Sequence, residues 1–308
     1  MDSTSSGRAF LIDFSNSLAE HVELAMRAIV AVNARVRLPS TGVHWSRGVV
    51  VTAAHTIKRN EDITATLPDG RTTPATLAGL DLSTDLAALR IDAPELPVAE
   101  LDDGSSLKLG QLMLAVSHGG DIGHYTSLGI VGGLGGPWRT WRGAHIERFI
   151  RPNLAIYPGF SGSALINAQG LVVGINTAGL SRRMPLTIPT STVRRVVEEL
   201  LRKGRIVRGF LGVGLQPVRL PASLKRKLNL ASQNGVILLS LEPDGPADKS
   251  GLLIGDVLLE LDGKTMADVS DVQDILAPEY VGKTVRARLI RAGDLVELSL
   301  TIAERSGK

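Results

Sequence analysis

The sequence predicts a mainly β chain: two strand-rich blocks of barrel or sandwich type, then a small α/β block. Three observations carry this. Between residues 29 and 91, short apolar runs (30–36, 49–52, 63–67, 75–80, 86–91) are separated by turn signals such as Pro68-Asp69-Gly70. From 111 to 187 the pattern recurs with glycine-dense turns at Gly119-Gly120 and Gly132-Gly133-Leu134-Gly135-Gly136. From Gly209 onward the text changes to a compact run of Gly, Asp and Pro turns around a few apolar strands.

In chain order, residues 1–15 read as a polar arm. Ser17-Leu18-Ala19-Glu20 fits a capping box and predicts a short amphipathic helix, with Leu18, Val22, Ala25, Met26 and Ile29 on one face. His55 closes the central strand of the first block, and Asp85 precedes its last strand. Residues 92–106, with Pro94, Pro97 and Asp102-Asp103-Gly104, connect the two blocks. After the second block, Ile188-Pro189-Thr190 opens a helix with Val193, Val196, Val197, Leu200 and Leu201 on one face, and Gly204 ends it. The expected domains are 1–203 and 209–308. The linker between them, 204–208, is short and basic, so the two are expected to be coupled.

Composition excludes several classes. The 34 basic and 31 acidic residues of 308 leave a net charge of +3, so no nucleic-acid partner is expected. Arg182-Arg183, Arg194-Arg195 and Arg202-Lys203 read as solvated faces. There is no cysteine, hence no disulfide or thiolate site, and His21, His44, His118, His124 and His145 are scattered without metal spacing. No Walker or Gly-x-Gly-x-x-Gly pattern opens a helix, so no cofactor is expected. The N-terminus lacks a signal-peptide pattern, and the run 28–32 is too short to span a membrane. The expectation is a cytoplasmic protein, with the periplasm as the alternative if a leader is missing.

Chemistry concentrates at Pro158-Gly159-Phe160-Ser161-Gly162-Ser163-Ala164-Leu165. A glycine-flanked turn exposes a serine hydroxyl and aims backbone N–H groups at one point, where an oxyanion could form. A serine needs a base to become a nucleophile. Upstream, Thr52-Ala53-Ala54-His55 follows an apolar strand, and Ser83-Thr84-Asp85-Leu86-Ala87 precedes another. His55, Asp85 and Ser161 thus occur in the chymotrypsin order.

With these stretches, and with Arg208-Gly209-Phe210-Leu211-Gly212-Val213, Gly235-Val236-Ile237-Leu238 and Gly255-Asp256-Val257-Leu258, the chain resembles the HtrA/Deg serine proteases over roughly residues 18–303. The resemblance implies a chymotrypsin-like double β-barrel protease domain followed by one α/β PDZ domain. It implies an ATP-independent endopeptidase acting on unfolded polypeptides through an acyl-enzyme. His55 is then base and acid, Asp85 its orienting partner, Ser161 the nucleophile, and the N–H groups of Gly159 and Ser161 the oxyanion hole. Ala155, six residues before the nucleophile, and the adjacent Ile156 imply an uncharged substrate pocket. Phe210, Leu211, Gly212 and Val213 would capture a C-terminal carboxylate, beside the apolar strand 236–239 and a helix over 271–276. A homotrimer is implied, in keeping with the apolar Phe10-Leu11-Ile12 and Phe14. Departures from the family pattern are Phe160, Ser163, Asn153, Tyr157 and Thr56. A catalytically silent chaperone or peptide-binding adaptor is the alternative. An esterase is disfavoured by the residue order.

Overall fold

A computed structural model describes residues 3–120, 123–181 and 184–304. Arg182-Arg183 falls outside them. The chain divides into two compact units, Met1–Ile206 and Val207–Lys308, so the division lies inside residues 204–208.

The first unit contains two closed six-stranded barrels. One is built from β1 (Ile29–Asn33), β2 (Ser40–Ser46), β3 (Val49–Ala53), β4 (Ile63–Thr66), β5 (Thr72–Asp81) and β6 (Leu86–Ile91), in the order β1-β2-β3-β6-β5-β4. The other uses β7 (Leu112–His118), β8 (His124–Gly135), β11 (Phe149–Asn153), β12 (Ala164–Asn167), β13 (Val172–Thr177) and β14 (Leu186–Pro189). The strands β9 (Trp138–Arg139) and β10 (His145–Ile146) form a separate hairpin.

Several strands are apolar on both faces because each face enters a different core. Val49, Val51, Leu86 and Ala88 point into a shared core between the barrels, while Val50, Ala87 and Leu89 fill the first barrel. On the other side Leu114, Ala164 and Ile166 join the shared core, and Met113 and Leu165 fill the second barrel. The two-residue period of a strand makes this sorting automatic. It locks the barrels together.

Two helices close the shared core. α2 (Thr190–Lys203) buries Val193, Val196, Val197 and Leu200 and ends on Gly204, whose φ of 74° and N–H to the Leu200 carbonyl form a left-handed cap. α1 spans Ser3–Met26, which corrects the sequence reading of an arm followed by a helix from Ser17. Gly7 inside it costs only about 1 kcal/mol. The spacing Phe10, Phe14, Leu18, Val22 continues one stripe along the helix. Leu18, Val22 and Met26 pack on the shared core, whereas Phe10, Leu11 and Ile12 are exposed. Ile29, assigned to that helix face, begins β1 instead.

A histidine pair, His118 buried and His124 half-buried, should make the first unit acid-sensitive. His118 and His124 are register partners at the β7–β8 turn, with ring centroids 4.2 Å apart. His118 Nδ1 accepts the Gly120 N–H at 3.1 Å, so the ring is neutral. Burial, and then repulsion from His124, push the His118 pKa down to about 4, against a weak opposing pull from the Leu67 carbonyl; burial also lowers that of His124. An unfolded histidine titrates near 6.5. Between pH 6.5 and 4 the unfolded chain therefore binds a proton that the folded chain refuses. Stability attributable to His118 is full above pH 6.5 and falls as pH drops, by roughly 3 kcal/mol at pH 4. Urea midpoints at pH 7 and 4.5 should fall less for His118→Asn, which keeps an acceptor for Gly120. An equal fall in the variant would contradict this origin.

In the second unit, five strands lie in the order Val213–Arg219, Asn234–Leu241, Val257–Leu261, Thr284–Arg291, Asp294–Thr301, with Lys264–Thr265 paired to the third. The helix Val269–Ile275 starts with a capping box between Asp268 and Asp271, two residues before the expected start.

Candidate active site

Strand register builds half of the site. β3 pairs with β6, with Ala53 opposite Leu86, so the residues just beyond β3 face the residue just before β6. The Ala54 N–H accordingly donates to the Asp85 carbonyl at 3.0 Å. A 3₁₀ turn over Ala54–Thr56 then carries His55 over the Asp85 side chain. The Asp85 Oδ2 atom lies 2.7 Å from His55 Nδ1, and Oδ1 accepts the His55 backbone N–H at 2.8 Å. A carboxylate at this position fixes the proton on Nδ1, which leaves Nε2 as the basic nitrogen. The Asp85 side chain is only 3% exposed and that of His55 is 34% exposed, so the imidazole is open and its partner is shielded.

A third donor to Asp85 comes from the other barrel: the Thr177 hydroxyl, at the end of β13, bonds Oδ2. Three donors offset the cost of burying the carboxylate. Asp85 itself has a φ of 59°, a left-handed conformation that Asp tolerates. Asp81 holds the turn, accepting from the N–H groups of Ser83 and Thr84 and from the Thr84 hydroxyl. The β9–β10 hairpin clamps it from outside, with the Thr140 hydroxyl on the Ser83 carbonyl and Arg142 on the Leu82 carbonyl.

Ser161 sits just before β12. Its loop is tied to β13 by Gly162 N–H to the Asn176 carbonyl at 2.8 Å and by Asn176 N–H to the Ser163 carbonyl at 2.9 Å. It is tied to the first barrel by Thr41 N–H to the Ser161 carbonyl at 3.2 Å. Among the described residues no hydrogen bond joins Ser161 Oγ to the His55 ring. Nucleophile–base contacts in substrate-free enzymes are often long or poorly aligned. The N–H groups of Gly159 and Ser161 have no partner among the described residues, whereas that of Phe160, between them, returns to the Tyr157 carbonyl at 3.0 Å.

Gly179 was not singled out in the sequence. A Cβ there would lie 2.4 Å from Asp85 Oδ2 and 2.6 Å from His55 Nδ1, so any side chain would strike the pair. Four of the five departures noted in the sequence find partners. The Thr56 hydroxyl bonds Ser40 Oγ at 2.9 Å and the Ala53 carbonyl at 2.6 Å. Ser163 Oγ accepts from Asn176 Nδ2 at 3.0 Å. Phe160 is buried, its ring edge-on to Tyr157. Ala155 is exposed and Ile156 half-buried on the loop leading to Ser161.

In the second unit the loop 210–213 places Gly212 at φ 75°, and its carbonyl accepts the Glu242 N–H at 2.8 Å. The Leu211 side chain is buried in the core, and the N–H groups of Leu211 and Gly212 have no partner among the described residues. The strand expected to flank the groove, 236–239, lies in the sheet interior, paired on both sides. Val213–Arg219 is the edge strand, and only an edge offers unpaired groups to an added strand. Among the described residues no cluster of three or more acidic or histidine side chains is placed to hold a metal.

This arrangement matches known proteins. A model of the trypsin-like peptidase domain matches residues 40–175, and one of the PDZ domain matches 209–302. The solved serine endoprotease from Yersinia pestis is 30% identical, with a TM-score of 0.76, covering 94% of this chain and 98% of that one. The HtrA-type protease AlgW, solved with a tripeptide, is 31% identical with a TM-score of 0.74, over 94% of this chain and 98% of that one. The chain belongs to the HtrA family of serine proteases. The HtrA-type protease AlgW, solved with a decapeptide, is 28% identical with a TM-score of 0.74, over 94% of this chain and 99% of that one. Curated HtrA relatives include a probable periplasmic serine endoprotease, DegP-like, from Halomonas elongata, 33% identical over 83% of this chain and 54% of that protein. Its counterpart from Chlamydia pneumoniae is 31% identical over 83% and 53%. The chain spans about half the length of these curated relatives. The double barrel with a PDZ domain is therefore the HtrA protease architecture.

Proposed function

We propose that this HtrA-type chain is an ATP-independent serine endopeptidase acting on unfolded polypeptides through an acyl-enzyme. His55 takes the Ser161 proton and returns it to the leaving amine, Asp85 orients the imidazole, and the N–H groups of Gly159 and Ser161 receive the oxyanion. Ala155 and Ile156 favour an uncharged side chain at the cleaved residue. The observation that carries this reading is the His55–Asp85–Thr177 chain of hydrogen bonds beside a serine loop with two unpaired N–H groups. The PDZ unit would take apolar C-termini onto the free edge of Val213–Arg219, with their carboxylate on the loop 210–213.

A homotrimer is the assembly we favour. The exposed half of α1 continues the stripe that its other half buries, and a lone helix of that length is marginal in water. An exported, periplasmic setting replaces the cytoplasmic expectation, because the curated relatives above are named periplasmic; fractionation of cells making the whole protein tests it. Among the described residues no helix is long and apolar enough to cross a membrane.

The test uses the full chain, with its mass checked by light scattering; a monomer mass would refute the trimer. Wild type should degrade a permanently unfolded polypeptide and also cleave a short chromogenic peptide. An excess of apolar C-terminal peptide should slow only the first reaction if the PDZ unit delivers substrate. Faster cleavage of the short peptide would mean activation in place of delivery. No hydrolysis of either substrate would favour the silent chaperone.

A further inference from the structure

The half of a substrate that leaves first is the half whose amine His55 must protonate. It therefore passes elements that border both His55 and the oxyanion loop. The start of β2 is such an element. Ser40 Oγ accepts the hydroxyl of Thr56, next to His55, at 2.9 Å. The Pro39 carbonyl oxygen lies 3.5 Å from a Cβ position on Gly159. Arg35 donates to the Leu38 and Pro39 carbonyls and so fixes this stretch. With Ala155 and Ile156 taking the residue before the cleaved bond, the Pro39 side is left for the residues after it.

The β7–β8 hairpin supplies a second wall there. Ser117 and Tyr125 are register partners, and the side chains of register partners stand on one face. The Thr41 hydroxyl lies 3.0 Å from Ser117 Oγ and 2.9 Å from the Gly159 carbonyl oxygen. That face of the hairpin therefore looks toward the first barrel beside the oxyanion loop, and Tyr125 stands on it. The Tyr125 ring covers Gly119, where a Cβ would lie 2.5 Å from Cε2. A Cβ on Gly120 would lie 3.2 Å from Pro39 Cγ. Two rings thus flank two residues without side chains, and a side chain at either glycine would crowd a ring. Tyr125 is 42% exposed, so much of its surface is open to a ligand.

We propose that Pro39, Gly119, Gly120 and Tyr125 form an apolar subsite for the residues that follow the cleaved bond, with Tyr125 setting its preference. The proposal rests on the endopeptidase reading and adds what that site selects on its leaving side. A leucine laid against the two rings removes apolar surface from water. A serine removes little, and a carboxylate would lose hydration there without a partner among these four residues.

The test uses the full chain and internally quenched peptides, identical except for Leu, Ser or Glu in the two positions after the cleaved bond. Mass spectrometry locates the cut. Wild type should cleave the Leu peptide with a kcat/KM about 5- to 20-fold above that of the Ser peptide, and the Glu peptide no faster than the Ser peptide. Tyr125→Ser should bring Leu and Ser within about twofold of each other, and Tyr125→Phe, which keeps the ring, should retain the difference. Labelling of Ser161 by a fluorophosphonate is the control, because its leaving group is fluoride and places nothing against the rings. All three proteins should label at equal rates. A Leu preference that survives Tyr125→Ser overturns the proposal, as does a wild type that cleaves the three peptides alike. A preference for Glu would point to Arg35 and overturn it too. So would Tyr125→Ser labelling that slows by the same factor as its cleavage of the Leu peptide, which would mark Tyr125 as a support of the site itself. A wild type that neither labels nor cleaves any peptide would instead overturn the endopeptidase reading, and the subsite with it.

Discussion

Ser161→Ala should leave a folded protein that turns over substrate about 10⁶-fold more slowly, the usual cost of removing a triad nucleophile. The loss is chemical: the bonds that fix residue 161 are made by backbone atoms, the Ser161 carbonyl to Thr41 and the neighbouring Gly162 N–H to Asn176. Alanine keeps those bonds and the oxyanion donors, and it removes only the atom that would attack. Binding of an unfolded polypeptide should persist, because the PDZ unit and the cleft are untouched. Fluorophosphonate labelling should disappear. Equal peptide cleavage by purified wild type and variant would sink the assignment of Ser161.

Asp85→Asn should cost about 10⁴ in kcat without unfolding the chain, as removal of that charge does in other triads. Asparagine accepts the left-handed φ of 59° found here, so backbone strain is not the cause. The cause is the donor count. Oδ1 takes the His55 N–H, and Oδ2 takes both His55 Nδ1–H and the Thr177 hydroxyl. Asparagine has one oxygen. If it stays on the His55 N–H, its NH₂ faces Nδ1 and drives the ring proton onto Nε2, where the base must be free. If the amide flips, the NH₂ opposes the His55 backbone N–H. A variant within tenfold of wild type, with the His55 ring still protonated on Nδ1 by NMR, would remove Asp85 from the role.

The sequence alone determined the groups of the proposed triad and their order, because each rests on local pattern. His55 follows an apolar strand, Asp85 precedes one, and Ser161 lies between turn-forming glycines. The two strand-rich blocks were legible for the same reason, since strand periodicity is written residue by residue, while their closure into barrels was implied only by the family resemblance. Helix α1 was read short because Ser17-Leu18-Ala19-Glu20 imitates a cap, while the true stripe runs back through Phe14 and Phe10. The edge strand Val213–Arg219 had no signal in the sequence, because apolar content marks a buried strand such as 236–239, whereas edges are a property of sheet order. Only the tertiary structure decided which residues surround the proposed triad. Thr177 reaches Asp85 across the barrel interface, Thr41 reaches Gly159 from 118 positions away, and Gly179 leaves room beside both His55 and Asp85. None of these has a local signature, for a threonine in a strand or a glycine in a loop looks ordinary until folding brings a carboxylate or carbonyl within hydrogen-bond distance. Thr56 and Ser163, which read as departures from the family pattern, likewise acquire meaning only when Ser40 and Asn176 close on them.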